Sequence, residues 1–164
     1  MCSVGMMPIL FNHPSHSKIF RARTTDYQNL IELWERSVTA THGFLRREDI
    51  LHYRPLILDY YFDSLKLYYF GSRTQITGFI GLKKGFIQML FVDPAEMNRG
   101  IGKSLINYAI QEHRARTVDV NQQNTAALAF YSKMGFEVTG YAAVDSSGKP
   151  IPVLSMTWTG RHRP

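Results

Sequence analysis

The chain has 164 residues, 45% of them hydrophobic and 20% charged, with a formal net charge of +6 and a single cysteine, Cys2. That length suits one domain, or at most two very small ones, and buries roughly 70% of the unfolded surface, so no covalent staple is needed. One cysteine excludes a disulfide scaffold and a cysteine-based zinc cluster, and the composition excludes a disordered chain.

The basic balance points to anionic partners, yet no block of five or more like charges marks a nucleic-acid arm. No apolar stretch approaches the ~20 residues a membrane-spanning helix needs. Residues 1–17 read as a tail: Pro8 and Pro14 interrupt them, and no basic segment or small-residue cleavage site accompanies Met6, Met7, Ile9, Leu10 and Phe11. His13 and His16 within it read as solvated side chains rather than metal ligands. Residues 18–164 are expected to form one domain.

Strand and helix signals then alternate. Residues 19–23 read as a short strand. Thr24, Thr25 and Asp26 are helix-capping types, and Tyr27, Leu30, Ile31, Trp34 and Val38 recur at helical spacing, which predicts a helix over 26–39. A second helical stretch covers 46–62, and Pro55 is expected to kink it or to begin a new helix. Three strands follow, at 65–70, 76–82 and 86–92, joined by short polar or glycine-containing links that suit an antiparallel meander. The third is a nearly unbroken apolar run, as expected of a strand covered on both faces.

After Asp93-Pro94 a loop at 95–99 leads into a helix whose buried stripe is Ile101, Leu105, Ile106, Ala109 and Ile110. A strand at 117–121 comes next. Asn124 is placed to cap a helix carrying Ala127, Phe130, Tyr131 and Met134, which Gly135 stops. Strands at 136–144 and 153–158 close the chain around a turn at 145–150. There is no internal repeat and no linker.

The sharpest chemistry lies in VDPAEMNRGIGKSL, residues 92–105. A buried strand runs into a loop, and the loop enters a helix through Gly100 and Gly102. A helix N-terminus leaves about four N–H groups unpaired and carries partial positive charge, so a glycine-flanked one can grip an anion such as a pyrophosphate. Arg99 and Lys103 add charge and Ser104 a hydroxyl. A purely structural use of both glycines, in the turn and in helix packing, stays open. A P-loop is ruled out because Met97 stands where its first glycine belongs, and a dinucleotide fingerprint because Leu105 stands where its third does. A second pattern is NTAALAFYSKMGF, residues 124–136, in which Asn124 and Tyr131 lie seven apart and share a helix face.

In this order and spacing the two patterns resemble the GNAT superfamily of N-acetyltransferases. Residues 92–102 look like its acetyl-CoA motif, and residues 124–136 look like N-x-x-A-x-x-F-Y-x-x-x-G-F. The likeness covers about residues 19–158. The stretch RSVTATHGFL, residues 36–45, and the segment 144–154 are similar to small bacterial YjaB-type acetyltransferases. One departure is Met97, where the family's phosphate motif Q/R-x-x-G-x-G/A begins with a long polar side chain.

The resemblance implies a mixed α/β fold: a twisted, mostly antiparallel sheet of about seven strands, about four flanking helices, and a splayed parallel strand pair, 86–92 and 117–121, forming the cofactor cleft. It implies a cytoplasmic bacterial enzyme that passes the acetyl group of acetyl-CoA directly to a primary amine, on a small molecule or a protein, with no metal, membrane or nucleic acid involved and with homodimers common. Cofactor contacts would come from Leu90, Phe91, Val92, Asn98, Arg99, Gly100, Ile101, Gly102, Lys103, Ser104, Asn124 and Tyr131. A backbone N–H near Leu90 would meet the developing oxyanion.

Tyr131 would be the general acid and His42, whose imidazole titrates near neutrality, the candidate general base. Glu48, Asp93, a water chain or a free fraction of neutral amine are the alternatives for that role. His42, Phe44, Tyr68 and Gln88 would line the acceptor pocket. A GNAT-like module that holds CoA with little or no turnover is the competing reading. Met97 favours it, and the Asn124/Tyr131 pair favours the enzyme. The acceptor is not specified by the residues.

Overall fold

The computed structural model describes residues 18–43 and 45–160; the tail at 1–17, with His13 and His16, and Phe44 lie outside the described residues. In chain order the elements are β1 (Ile19–Arg21), a 3-10 turn (Thr24–Asp26), α1 (Tyr27–Thr41), α2 (residues 47–64), β2 (Lys66–Ser72), β3 (Gln75–Lys83), β4 (Phe86–Val92), a 3-10 turn (Pro94–Glu96), α3 (Ile101–His113), β5 (Thr117–Asn121), α4 (Thr125–Lys133), β6 (Phe136–Ala142) and β7 (Val153–Trp158). Asp26 ends the first turn and accepts the Arg23 N–H at 2.8 Å, closing an N-terminus that the Thr-Thr-Asp run announces.

Pro55 neither ends nor restarts the second helix. Residues Arg47–Leu56 are α-helical, Ile57–Tyr61 form a π turn, and Phe62–Ser64 return to α geometry. Proline has no N–H to offer the carbonyl four residues back, yet the helix runs on past it into the wide turn downstream.

The seven strands form one sheet in the order β1-β2-β3-β4-β5-β7-β6. Every neighbouring pair is antiparallel except β4 and β5, which run parallel. The 86–92 strand is covered on both faces, as its apolar run requires, and side-chain alternation divides the interior into two cores. Leu67, Tyr69 and Phe79 pack under α1 and α2 with Leu30, Ile31, Leu33, Trp34 and Phe62. Tyr68, Ile80, Ile87, Val118 and Val120 pack under α3 and α4 with Leu105, Ile106, Ala109 and Tyr131.

An opening in the sheet comes from a defect between β4 and β5. Only Phe86 with Thr117 and Ile87 with Val118 are in register, after which the strands part. On the other side of β4 the register against β3 changes between Met89, opposite Gly81, and Ile87, opposite Leu82. Gln88 is therefore an extra residue, a β-bulge that bends β4 where it leaves β5. The sheet is thus split at its centre, with α1 over one face of the split and α3 and α4 over the other.

Candidate active site

The split opens into a cavity of about 320 Å³ whose walls include Ser37, Thr41 and His42 from α1 and its C-terminal cap, Leu90 to Val92 from β4, Met97 to Lys103 without Arg99 from the loop and α3, and Asn124, Ala127, Phe130 and Tyr131. A smaller cavity of about 150 Å³ adjoins it, walled by Gln88, Asp119 and Asn121 together with His42, Leu90, Asn124 and Tyr131. Those last four residues border both spaces, so the two cavities meet where β4 and β5 diverge. That meeting point is where two substrates entering from opposite sides of the sheet would touch.

The backbone of β4 is aimed at the opening. The N–H of Asp93 bonds to the carbonyl of Thr77 at 2.8 Å, on the β3 side. Main-chain groups alternate sides along an antiparallel strand, so those of Phe91 also face β3, whereas those of Leu90 and Val92 face the split. With no β5 partner at that level, they are available to a ligand.

The loop from β4 to α3 is held by short-range bonds. Asp93 accepts Ala95 N–H at 3.1 Å through one carboxylate oxygen and Arg36 Nη2 at 2.8 Å through the other. Burial works against the Asp93 carboxylate, but the Arg36 and Ala95 bonds outweigh it and hold its pKa below the usual carboxylate value. The chain then turns through two left-handed residues, Asn98 with φ 62° and Gly100 with φ 79°.

Gly100 is the residue before α3, and the first bond of that helix runs from Ser104 N–H to Gly100 carbonyl at 2.9 Å. The N–H groups of Ile101, Gly102 and Lys103 precede that bond and have no intrahelical acceptor. All three residues line the larger cavity.

The two glycines divide the work. Gly100 supplies the positive φ, and a Cβ there would meet nothing within 4 Å; a Cβ on Gly102 would stand 3.2 Å from the ring of Phe130. Gly102 lets α3 lie close to α4. Arg99 and Ser104 do not border the cavity. Arg99 pairs with Glu96 at 3.0 Å, and the Ser104 amide is used inside the helix. Met97 borders it with an apolar side chain, so the cationic element here is Lys103.

Asn124 caps α4, its Oδ1 accepting Ala127 N–H at 3.0 Å, which leaves its Nδ2 as a donor toward the cavity it lines. Two turns on, Tyr131 is 6% exposed, with its ring edge-on to Phe130 and Phe136 at 5.3 and 5.4 Å between centroids. Its hydroxyl bonds to none of the described residues. Burial raises the phenol pKa well above its ordinary value, so the group keeps its proton throughout the neutral range.

His42, just past the end of α1, borders both cavities, and its ring lies 6.2 Å from that of Phe91. Burial lowers its pKa, favouring the neutral imidazole.

Other expected residues fall elsewhere. Tyr68 is a core side chain: alternation turns it to the α3 face, where it lies 5.2 Å from Tyr108 and 4.6 Å from His113 between ring centroids, away from both cavities. Gln88 does border the smaller cavity. Glu48 is exposed and borders neither, and Asp93 is committed to Arg36 and Ala95.

Sequence reasoning missed Asp119. It sits on β5 between the core residues Val118 and Val120, faces away from α3, and accepts the Ser155 hydroxyl at 2.7 Å beside the smaller cavity. A charged residue between two buried valines in a central strand is the signal that could have found it.

A family model described as an acetyltransferase (GNAT) domain matches residues 60–159. The peptidyl-lysine N-acetyltransferase YjaB of Salmonella typhimurium is 37% identical over 140 residues, covering 85% of this chain and 97% of that protein. The solution structure of the apo form of YjaB from Escherichia coli shares 35% identity at a TM-score of 0.78, over 87% of this chain and 97% of that one. The PaiA N-acetyltransferase of Thermoplasma acidophilum, solved in complex with coenzyme A, shares the fold at a TM-score of 0.68 and 18% identity, over 86% and 98%.

Proposed function

The chain belongs to the GNAT acetyltransferase family and is an N-acetyltransferase, and from that premise we propose that it transfers the acetyl group of acetyl-CoA to the side-chain amine of a lysine in a protein. The observation that carries this reading is the meeting of the two cavities at the split between β4 and β5, with His42, Leu90, Asn124 and Tyr131 on both. The similar YjaB proteins are peptidyl-lysine N-acetyltransferases by name, which supports a protein acceptor. We read residues 18–164 as the one domain that carries the activity.

In this reading the acyl donor occupies the larger cavity. Its diphosphate meets the free amides of Ile101, Gly102 and Lys103 and the Lys103 ammonium, and its pantetheine arm runs along the exposed main chain of β4. Asn124 Nδ2 donates to that arm. The acceptor enters through the smaller cavity, where the exposed Asp119 carboxylate, steadied by Ser155, attracts the lysine ammonium. His42 takes a proton from that ammonium, which frees the nitrogen lone pair for attack on the thioester carbonyl.

Charge develops on the carbonyl oxygen as the C–N bond forms, and the Leu90 N–H is the donor positioned for it. The carbon–sulfur bond then breaks, Tyr131 donates its hydroxyl proton to the departing sulfur, and the second proton leaving the new amide nitrogen restores the phenol, so coenzyme A departs as the thiol, the amide is neutral and one proton remains on His42. A phenol with a raised pKa is a weak acid in water. The same apolar walls also destabilise an isolated thiolate, so the two anions compete within one desolvated site.

The test is acetyl transfer from acetyl-CoA to lysine-containing peptides, followed by thiol release and by mass. Thiol release that depends on a peptide lysine, with an added acetyl group on that side chain, is the expected result. Acetylation of small amines alone, with no lysine peptide accepted, overturns the acceptor assignment. Binding of coenzyme A with no transfer to any amine favours the CoA-holding module.

A further inference from the structure

We propose that Thr41 is a positioning residue for acetyl transfer: its hydroxyl holds His42 in the Nδ1–H tautomer and leaves Nε2 as the proton-accepting nitrogen. The proposal rests on the reading of His42 as the base, and it adds the element that selects which of the two ring nitrogens does the work.

The argument is a count of protons. Thr41 Oγ1 lies 2.7 Å from the carbonyl oxygen of Ser37 and 2.8 Å from His42 Nδ1. A carbonyl oxygen can only accept, so the single hydroxyl proton of Thr41 is spent on Ser37. The contact with Nδ1 then has to be donated by the imidazole, N–H to oxygen. A neutral imidazole carries one proton, so Nε2 holds the lone pair.

The geometry is anchored at each link. Ser37 is buried on α1, and its carbonyl is fixed by the helix. Thr41 lies four residues on, its β-branched side chain having few rotamers. The backbone of His42 is tied to Val38 by an N–H to carbonyl bond of 2.8 Å, and its ring rests against Phe91.

The relay Ser37 carbonyl, Thr41 hydroxyl, His42 imidazole is neutral throughout. It orients the ring as an acidic partner would, without the charge that would hold a proton on the ring. Burial lowers the basicity further. The charged residues that share cavities with His42 are Asp119 on β5, Glu96 in the β4–α3 loop and Lys103 on α3; Leu90 and Phe91 of β4 and Tyr131 of α4 are among the uncharged residues that line them. In the step itself the acceptor ammonium gives one proton to Nε2. The resulting imidazolium still donates Nδ1–H to Thr41, so no proton moves along the relay and none is lost from it.

The experiment is long-range ¹H–¹⁵N correlation of the full chain labelled at histidine nitrogens, recorded above the His42 titration, beside steady-state kinetics. Wild type and Thr41→Ser should show a protonated Nδ1 and an unprotonated Nε2 for His42. Thr41→Val, which keeps the shape and loses the oxygen, should lose that preference. It should also lower kcat/KM for the acceptor by about 10-fold or more, within the ~10²–10⁴ that a positioned base contributes, with the KM for acetyl-CoA unchanged. Thr41→Ser should restore most of the rate.

A protonated Nε2 in wild type overturns the proposal, as does an unaltered Nδ1–H signal in Thr41→Val. The acid limb of the pH profile is a separate readout. Its persistence in His42→Ala overturns the base role on which the inference rests, and the tautomer measurement stands independently of it.

Discussion

At the scale of single residues, the chemistry depends on what each side chain is denied as much as on what it touches. Tyr131 is denied most contact with water, and its hydroxyl has no hydrogen-bond partner among the described residues, so burial keeps it protonated. Tyr131→Phe keeps the ring and its packing against Phe130 and Phe136, so the protein should fold and bind acetyl-CoA with unchanged KM. Its kcat should fall by roughly 10²-fold, the low end for a positioned acid; a kcat equal to wild type would remove Tyr131 from the mechanism.

The opposite lesson comes from Tyr68. Its residue type suits a pocket, but its parity on β2 puts it in the α3 core, where Leu67 and Tyr69 on either side face α1 and α2. Met97 is a third case. It contributes no charge to the cavity it borders, and Arg99 two residues on points to Glu96 in a surface ion pair, so the basic side chain on the cavity wall is Lys103.

At the scale of elements, the β4–α3 connection is the part most constrained by backbone geometry. Asp93 and Arg36 tie its start to α1, and Gly100 makes the left-handed turn that releases three amides toward the cavity. Gly100→Ala would place a Cβ in open space, so its cost is conformational alone, ~1–2 kcal/mol for an L-residue forced into that region. For a chain of this size each kcal/mol lowers Tm by ~2–4 °C. The expected result is a drop of several degrees with a weakened affinity for coenzyme A, measured by thermal unfolding and titration. An unchanged Tm would mean that the loop can adopt another path.

The bulge at Gln88 is the second decisive element. It adds one residue to β4 just where the partner strand leaves, and it turns the following main-chain groups into a ligand-facing edge.

At the scale of the whole molecule, the split sheet is a wedge between two cores, one under α1 and α2 and one under α3 and α4. A ligand lying in the split contacts α1, β4, α3 and α4 at once, so it should stabilise the native state as a unit. At a hundredfold excess over Kd, a ligand specific to the folded state contributes about 2.7 kcal/mol. Added coenzyme A should therefore raise Tm by roughly 5–10 °C, and a flat Tm across a wide concentration range would count against the cleft as its site. Among the described residues no helix is long and apolar enough to cross a membrane.

Much of this architecture could be read from residues in order. Periodicity located every strand and helix to within a few positions, because 3.6- and 2-residue repeats of burial are local properties of the chain. The two glycine- and asparagine-centred patterns pointed to the family, since a left-handed turn and a helix cap need particular residue types at particular places.

What the chain could not disclose was how far β4 and β5 separate, that Gln88 is the extra residue, that Tyr68 turns away, and that Asp119 lines the same cavity as His42. Each of these depends on a register or a juxtaposition between segments distant in sequence. Tertiary packing decides them, because a shift of one residue between strands moves a side chain to the other face of the sheet while leaving every local preference satisfied.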